Sequence, residues 1–129
     1  MEYLVAVSSR DGVMIHQHFG HTEEFQILKV EDNERYRFQE KRAVTAPCHM
    51  GEHDDGQLAR TVEALSDCKY VLSAKIGMGA QAALQARGVT PLEIAHFIDY
   101  AMEKVMLYDK KFRHEKHEER NEAVCLKSI

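Results

Sequence analysis

The run YLVAVS at residues 3–8 is apolar without alternation and leads into SSRDG, whose Ser, Asp and Gly favour turns. It reads as a buried strand followed by a loop. Residues 24–30 (EFQILKV) and 35–42 (RYRFQEKR) are rich in strand formers and separated only by the polar EDNE, which predicts a hairpin. Tyr36 and Phe38 then share one face of the third strand, with Arg and Gln on the other. TAPCHMGEHDDG reads as a loop from its Pro, Gly and Asp content. After it, Leu58, Val62 and Leu65 form one stripe of a helix from about Asp55 to Ser66, with Asp54 or Asp55 as its cap.

KYVLSA (69–74) predicts a fourth strand, KIGMG a glycine turn, and AQAALQA (80–86) a short helix ended by Gly88. VTPLEI is a fifth strand, placed at an edge by Pro91. Ile98, Ala101, Val105, Tyr108 and Phe112 recur with the period of an amphipathic helix running from His96 to about Phe112. Residues 109–122 (DKKFRHEKHEERNE) are almost entirely charged. They extend that helix into solvent, aided by pairs such as Lys111 with Glu115, or stay unstructured. The chain thus divides into a domain over 1–112 and a charged carboxyl-terminal tail over 113–129.

The order β-β-β-α-β-α-β-α predicts an α/β fold with a five-stranded mixed sheet and flanking helices, and it resembles a ribonuclease H-like sheet. In a meander the third strand runs parallel to the first, and βαβ connections make the fourth and fifth parallel to it as well. The loops after strands 1, 3, 4 and 5 therefore open at one sheet edge, where open α/β sheets bind ligands. Those loops carry most of the chemistry of the chain.

Five of the eight histidines (His16, His18, His21, His49 and His53) lie in the first two of these loops, together with Cys48. Imidazole and thiolate are ligands for borderline and soft metals, and His16 and His18, two apart in an extended segment, point to the same side. Gly12, Gly20, Gly51, Gly77 and Gly79 fall in the same loops, where backbone N–H groups can approach an anion closely. Arg10 and Lys75 supply positive charge at that edge. The pattern describes an anion-receptive rim with a few metal-binding side chains, and no catalytic constellation.

Composition narrows the function. With 17 basic and 21 acidic side chains the net charge is −4, which argues against a nucleic-acid surface. The first ten residues are too short an apolar run for a signal peptide or membrane span, so a cytoplasmic protein is expected. Cys48, Cys68 and Cys125 form no CxxC pair, which fits a reducing compartment, and the absence of a CxxxCxxC triplet excludes a radical enzyme built on its own iron–sulfur cluster. A two-metal nuclease needs carboxylates within the strands, whereas Glu2 and Glu24 only flank them. Cys68, at a helix–strand junction, reads as a small core residue.

VAVSSRDGVMIHQHFGHTEEFQILKV, with the LSDC..VL...IG block at residues 65–77 and the A...L...GV that follows, resembles the dinitrogenase iron-molybdenum cofactor biosynthesis family, the domain shared by NifX, NafY and the carboxyl-terminal part of NifB. The resemblance covers about residues 3–108. It implies a ribonuclease H-like fold and a binding and carrier protein, not an enzyme, whose cargo is an iron–sulfur or iron–molybdenum-type cluster passed between cofactor-assembly proteins or to apo-nitrogenase. It also implies that His18, in the His-Phe-Gly motif, ligates the cluster. The converging loops themselves add Phe19, Gly20, Arg10, Gly77 and Gly79 around the cargo and Cys48, His53 and His16 as further metal-binding groups. Phe19 is expected to anchor the loop and Gly20 to permit its turn. The alternative is a sensor or store for zinc or nickel that uses His16, His18, Cys48 and His53. Partners other than protein are not expected, and the chain acts as a monomer or homodimer.

Overall fold

The computed structural model describes residues 1–44, 48–49, 52–53 and 55–114, with the side chains of 48, 49, 52, 53, 55, 113 and 114 outside the description. Strands β1 (Glu2–Val7), β2 (Glu24–Glu31) and β3 (Arg35–Ala43) form the meander. A short hairpin of β4 (Cys48–His49) and β5 (Glu52–His53) precedes helix α1 (Asp55–Ala64). Strand β6 (Tyr70–Ser73), helix α2 (Met78–Ala86), strand β7 (Thr90–Glu93) and helix α3 (Ile98–His114) complete the order.

The main sheet has the order β3-β2-β1-β6-β7, with β1, β6 and β7 parallel and β2 antiparallel to its neighbours. The five-stranded mixed sheet and its element order are as the sequence predicts, and β7, which carries Pro91, is an edge strand. β1 is central, so both of its faces are covered and residues 3–7 of it are apolar without alternation.

Alternation along the strands sends side chains into two cores. Tyr3, Val5, Val7, Leu28, Val30, Tyr70 and Leu72 pack under Ile98, Ala101, Met102 and Val105 of α3. Ala6, Phe25, Ile27 and Val71 face Val62 and Leu65 at α1, and Ala80 and Leu84 of α2. The result is three layers, one helix on one face of the sheet and two on the other. Met102 is fully buried although it lies outside the stripe predicted for α3. It sits four residues after Ile98, so the same period reaches it.

Several boundaries move for tertiary reasons. α3 starts at Ile98 rather than His96, because residues 13–15 take up the backbone of 96–98: Ile15 N donates to His96 O at 2.9 Å and Ile98 N to Val13 O at 2.8 Å. α1 stops at Ala64 and tightens into a turn, with Leu65 N donating to the carbonyls of both Thr61 and Val62. The loop after β3 contains the pair β4–β5, whose two-residue strands are too short to leave an alternating pattern. On β3, Tyr36 is half-buried against the α3 core, but Phe38 is 52% exposed at the sheet margin.

The charged run at 109–122 is not uniformly solvated. Asp109 is buried, accepting hydrogen bonds from Tyr70 Oη at 2.7 Å and Asn33 Nδ2 at 2.9 Å, with Lys69 Nζ at 2.6 Å. Tyr3 Oη in turn donates to Asn33 Oδ1 at 2.6 Å. These groups tie α3 to the start of β1 and β6 and to the β2–β3 turn. Residues 115–129, most of the predicted tail, lie outside the described residues. Among the described residues no helix is long and apolar enough to cross a membrane.

Candidate functional site

The loop after β1 crosses the carboxyl ends of the parallel strands, and local chemistry fixes each part of its course. Ser8 continues the β1–β6 ladder by donating its N–H to Leu72 O at 2.9 Å, and its hydroxyl lies 2.6 Å from that of Ser73. Asp11 accepts the N–H groups of Val13 and Met14 at 2.8 and 3.0 Å. Those hydrogen bonds, from Met14 first and then Val13, hold its carboxyl below the usual carboxylate range. Gly12 between them has φ +76°, and a Cβ there would meet the Gln26 amide at 3.3 Å, so the turn requires glycine.

Past this turn the chain alternates. Ile15 and Phe19 are fully buried, whereas His16 and His18 are exposed. Ala74 N donates to Gln17 O at 2.9 Å and Phe19 N to Lys75 O at 2.8 Å, so residues 17–19 add a short parallel stretch beside the end of β6, with His18 bridged to Lys75. A 3-10 turn (Phe19–His21) follows. The His18 carbonyl accepts from Thr22 Oγ1 at 2.7 Å and from His21 N at 3.1 Å. The backbone of His18 is thus fixed on both sides while its imidazole faces water.

The structure sorts the expected site residues. Phe19 has no exposed surface and packs 5.6 Å from Phe25, so it anchors the turn and cannot itself touch a cargo. Gly20 lies in the 3-10 turn, and the glycines with positive φ among the described residues are Gly12 and Gly88; conformation therefore does not demand a glycine at 20. Gly77 caps α2 without a side-chain acceptor, at φ −61°. A Cβ at Gly77 or Gly79 would meet nothing within 4 Å, so neither backbone conformation nor internal packing requires them, and the space beside both is open to a ligand.

Arg10 lines a shallow recess of about 170 Å³ with Gln17, His21 and two carboxylate residues, Glu23 and Glu24. His21, to which the sequence assigns no role, has its ring centroid 6.1 Å from that of His18. The HxxH spacing across a single 3-10 turn is the signal that could have paired them. His16 Nδ1 lies 3.0 Å from Met14 O, which turns that nitrogen toward the backbone.

β4 runs beside the 3-10 turn, with Cα atoms within 8 Å, and Cys48 pairs with His53 across the β4–β5 hairpin. The second histidine loop thus reaches the same edge as His18. The side chains of Cys48, His49 and His53 lie outside the described residues. Among the described residues no three His, Cys, Asp or Glu side chains come together to hold a metal ion; Cys48 and His53, half of the ligand set of the zinc or nickel alternative, lie outside them.

The chain is an open mixed α/β sheet whose loops gather an exposed, backbone-fixed imidazole and open glycines at the strand carboxyl ends, the edge at which open α/β sheets bind ligands. Residues 1–108 match the family described as dinitrogenase iron-molybdenum cofactor, and the chain belongs to that family. It is 38% identical over 105 residues to the FeMo cofactor biosynthesis protein NifB of Frankia alni, covering 79% of this chain and 20% of that protein. NifB of Herbaspirillum seropedicae is 34% identical over 111 residues, covering 78% and 21%. The chain therefore spans about a fifth of the length of the curated relatives it matches.

Solved structures share the fold. A NifB-type protein from Thermotoga, determined by NMR, superposes with TM-score 0.53 at 21% identity over 78% of this chain and 84% of its own. A dinitrogenase-type protein from Methanocaldococcus jannaschii superposes with TM-score 0.52 at 14% identity over 82% and 89%. At these identities the likeness speaks for the architecture alone.

Proposed function

We propose that this domain binds and carries an anionic metal–sulfur cluster, an iron–molybdenum-type cofactor or its iron–sulfur precursor, and acts as a carrier rather than a catalyst. The observation that supports it best is His18: a solvent-facing imidazole whose backbone is fixed by Lys75, His21 and Thr22 at the carboxyl edge of the parallel strands. Sulfides and thiolates already inside such a cluster satisfy most of its metal sites, so one imidazole and nearby backbone N–H groups suffice to hold it. Sparse ligation also favours release to a second protein. The recipients in this reading are cofactor-assembly proteins or apo-nitrogenase.

Anaerobic reconstitution of the wild-type chain and of His18→Ala, followed by gel filtration and assay of iron and acid-labile sulfide, tests the role of His18. The wild type is expected to retain cluster and the variant to lose it by about tenfold or more, the scale on which metal affinity responds even to groups beyond the ligands. Equal retention would remove His18 from the site.

A further inference from the structure

Met78 is the first residue of α2 and is 87% exposed, the most exposed large apolar side chain among the described residues. An unbranched side chain of this size gains nothing in water, and the packing of α2 explains Ala80 and Leu84 but not Met78. Its neighbours Gly77 and Gly79 leave the space on both sides clear. Met78 also lies three positions after Lys75, whose carbonyl accepts Phe19 N at 2.8 Å and whose backbone is bridged to that of His18. Three residues of chain span about 10 Å at most, so the exposed Met78 starts α2 at the same sheet edge as His18.

A thioether is a soft, neutral donor for iron and copper and has three rotatable bonds with which to reach a ligand. We propose that Met78 is a second protein ligand, through its Sδ, to the metal–sulfur cluster that His18 holds; this rests on the carrier reading above. Imidazole and thioether then grip the cargo from two hydrogen-bonded segments. Gly77 and Gly79 admit it to the uncapped first turn of α2. Two neutral ligands add no charge to an already anionic cluster.

The test uses the full chain labelled with methyl-13C methionine, loaded anaerobically with a reconstituted [4Fe–4S] cluster as the probe, with Met78→Leu assigning the resonance. Loading is expected to shift or broaden the Met78 methyl signal. Met78→Leu, which keeps the apolar volume, is expected to weaken retention by about ten- to a hundredfold with an unchanged melting temperature. Retention by Met78→Leu equal to wild type, with an unmoved methyl signal and loss confined to His18→Ala, overturns the ligand role of Met78 and leaves the carrier reading standing. Failure of the wild type to hold the cluster overturns both.

Discussion

The Phe19 N–H donates to the Lys75 carbonyl at 2.8 Å, while the Phe19 ring fills the core beneath the α1–α2 face. The position of the neighbouring His18 is therefore set by a core residue and a sheet-edge hydrogen bond rather than by the loop itself.

Phe19→Ala removes a fully buried ring and is expected to lower stability by about 3–5 kcal/mol. Denaturant unfolding measures this. Phe19→Leu, which keeps most of the volume, should recover the greater part of it and restore cluster retention, separating anchoring from ligation.

The glycines of the site and of the fold should behave oppositely. Gly79→Ala lies in open space in the first turn of α2, so stability is expected to hold or rise by up to about 1 kcal/mol while cluster retention falls. Gly88→Ala, at φ +79° beyond the end of the same helix, should cost about 1–2 kcal/mol and leave retention intact. Paired thermal melts and iron assays on the two variants check the contrast.

Asp109 makes stability depend on acid. Burial alone would raise its pKa, but hydrogen bonds from Asn33, Lys69 and Tyr70 outweigh that and hold it below the usual carboxylate value. The stabilisation is thus complete above the unfolded value, about 3.9, and is lost as pH falls through the lower folded value. Asp109→Ala strands the buried donors of Tyr70 and Asn33 and should cost about 2–3 kcal/mol at neutral pH. Its unfolding free energy should also vary less with pH below about 4 than that of wild type, as acid titration of both proteins would reveal.

Cys68 should be chemically inert in the folded protein. Burial, and then the Asp67 carboxylate, push its thiol up to about 12. Alkylation at pH 8 followed by peptide mapping is expected to leave Cys68 unmodified until denaturant is added. Rapid native labelling would contradict its place in the α1–α2 core.

The sequence by itself determined the order of the main-sheet strands and the three helices, the parallel course of β1, β6 and β7, and the edge at which the histidine loops meet, because those follow from local periodicity and the rules of strand connection. It also made the family legible, in the His-Phe-Gly triplet and the block at 65–77. Tertiary structure alone decided the rest. Asp109 looks like one charge in a solvated run until Asn33 and Tyr70, far away in the chain, surround it. His21 joins His18 because a 3-10 turn folds back between them. Met78 is left in water because the α2 stripe closes over Ala80 and Leu84 without it. A pattern of residue types specifies which elements form. Which side chains meet depends on contacts between segments distant in sequence, and these have no period along the chain.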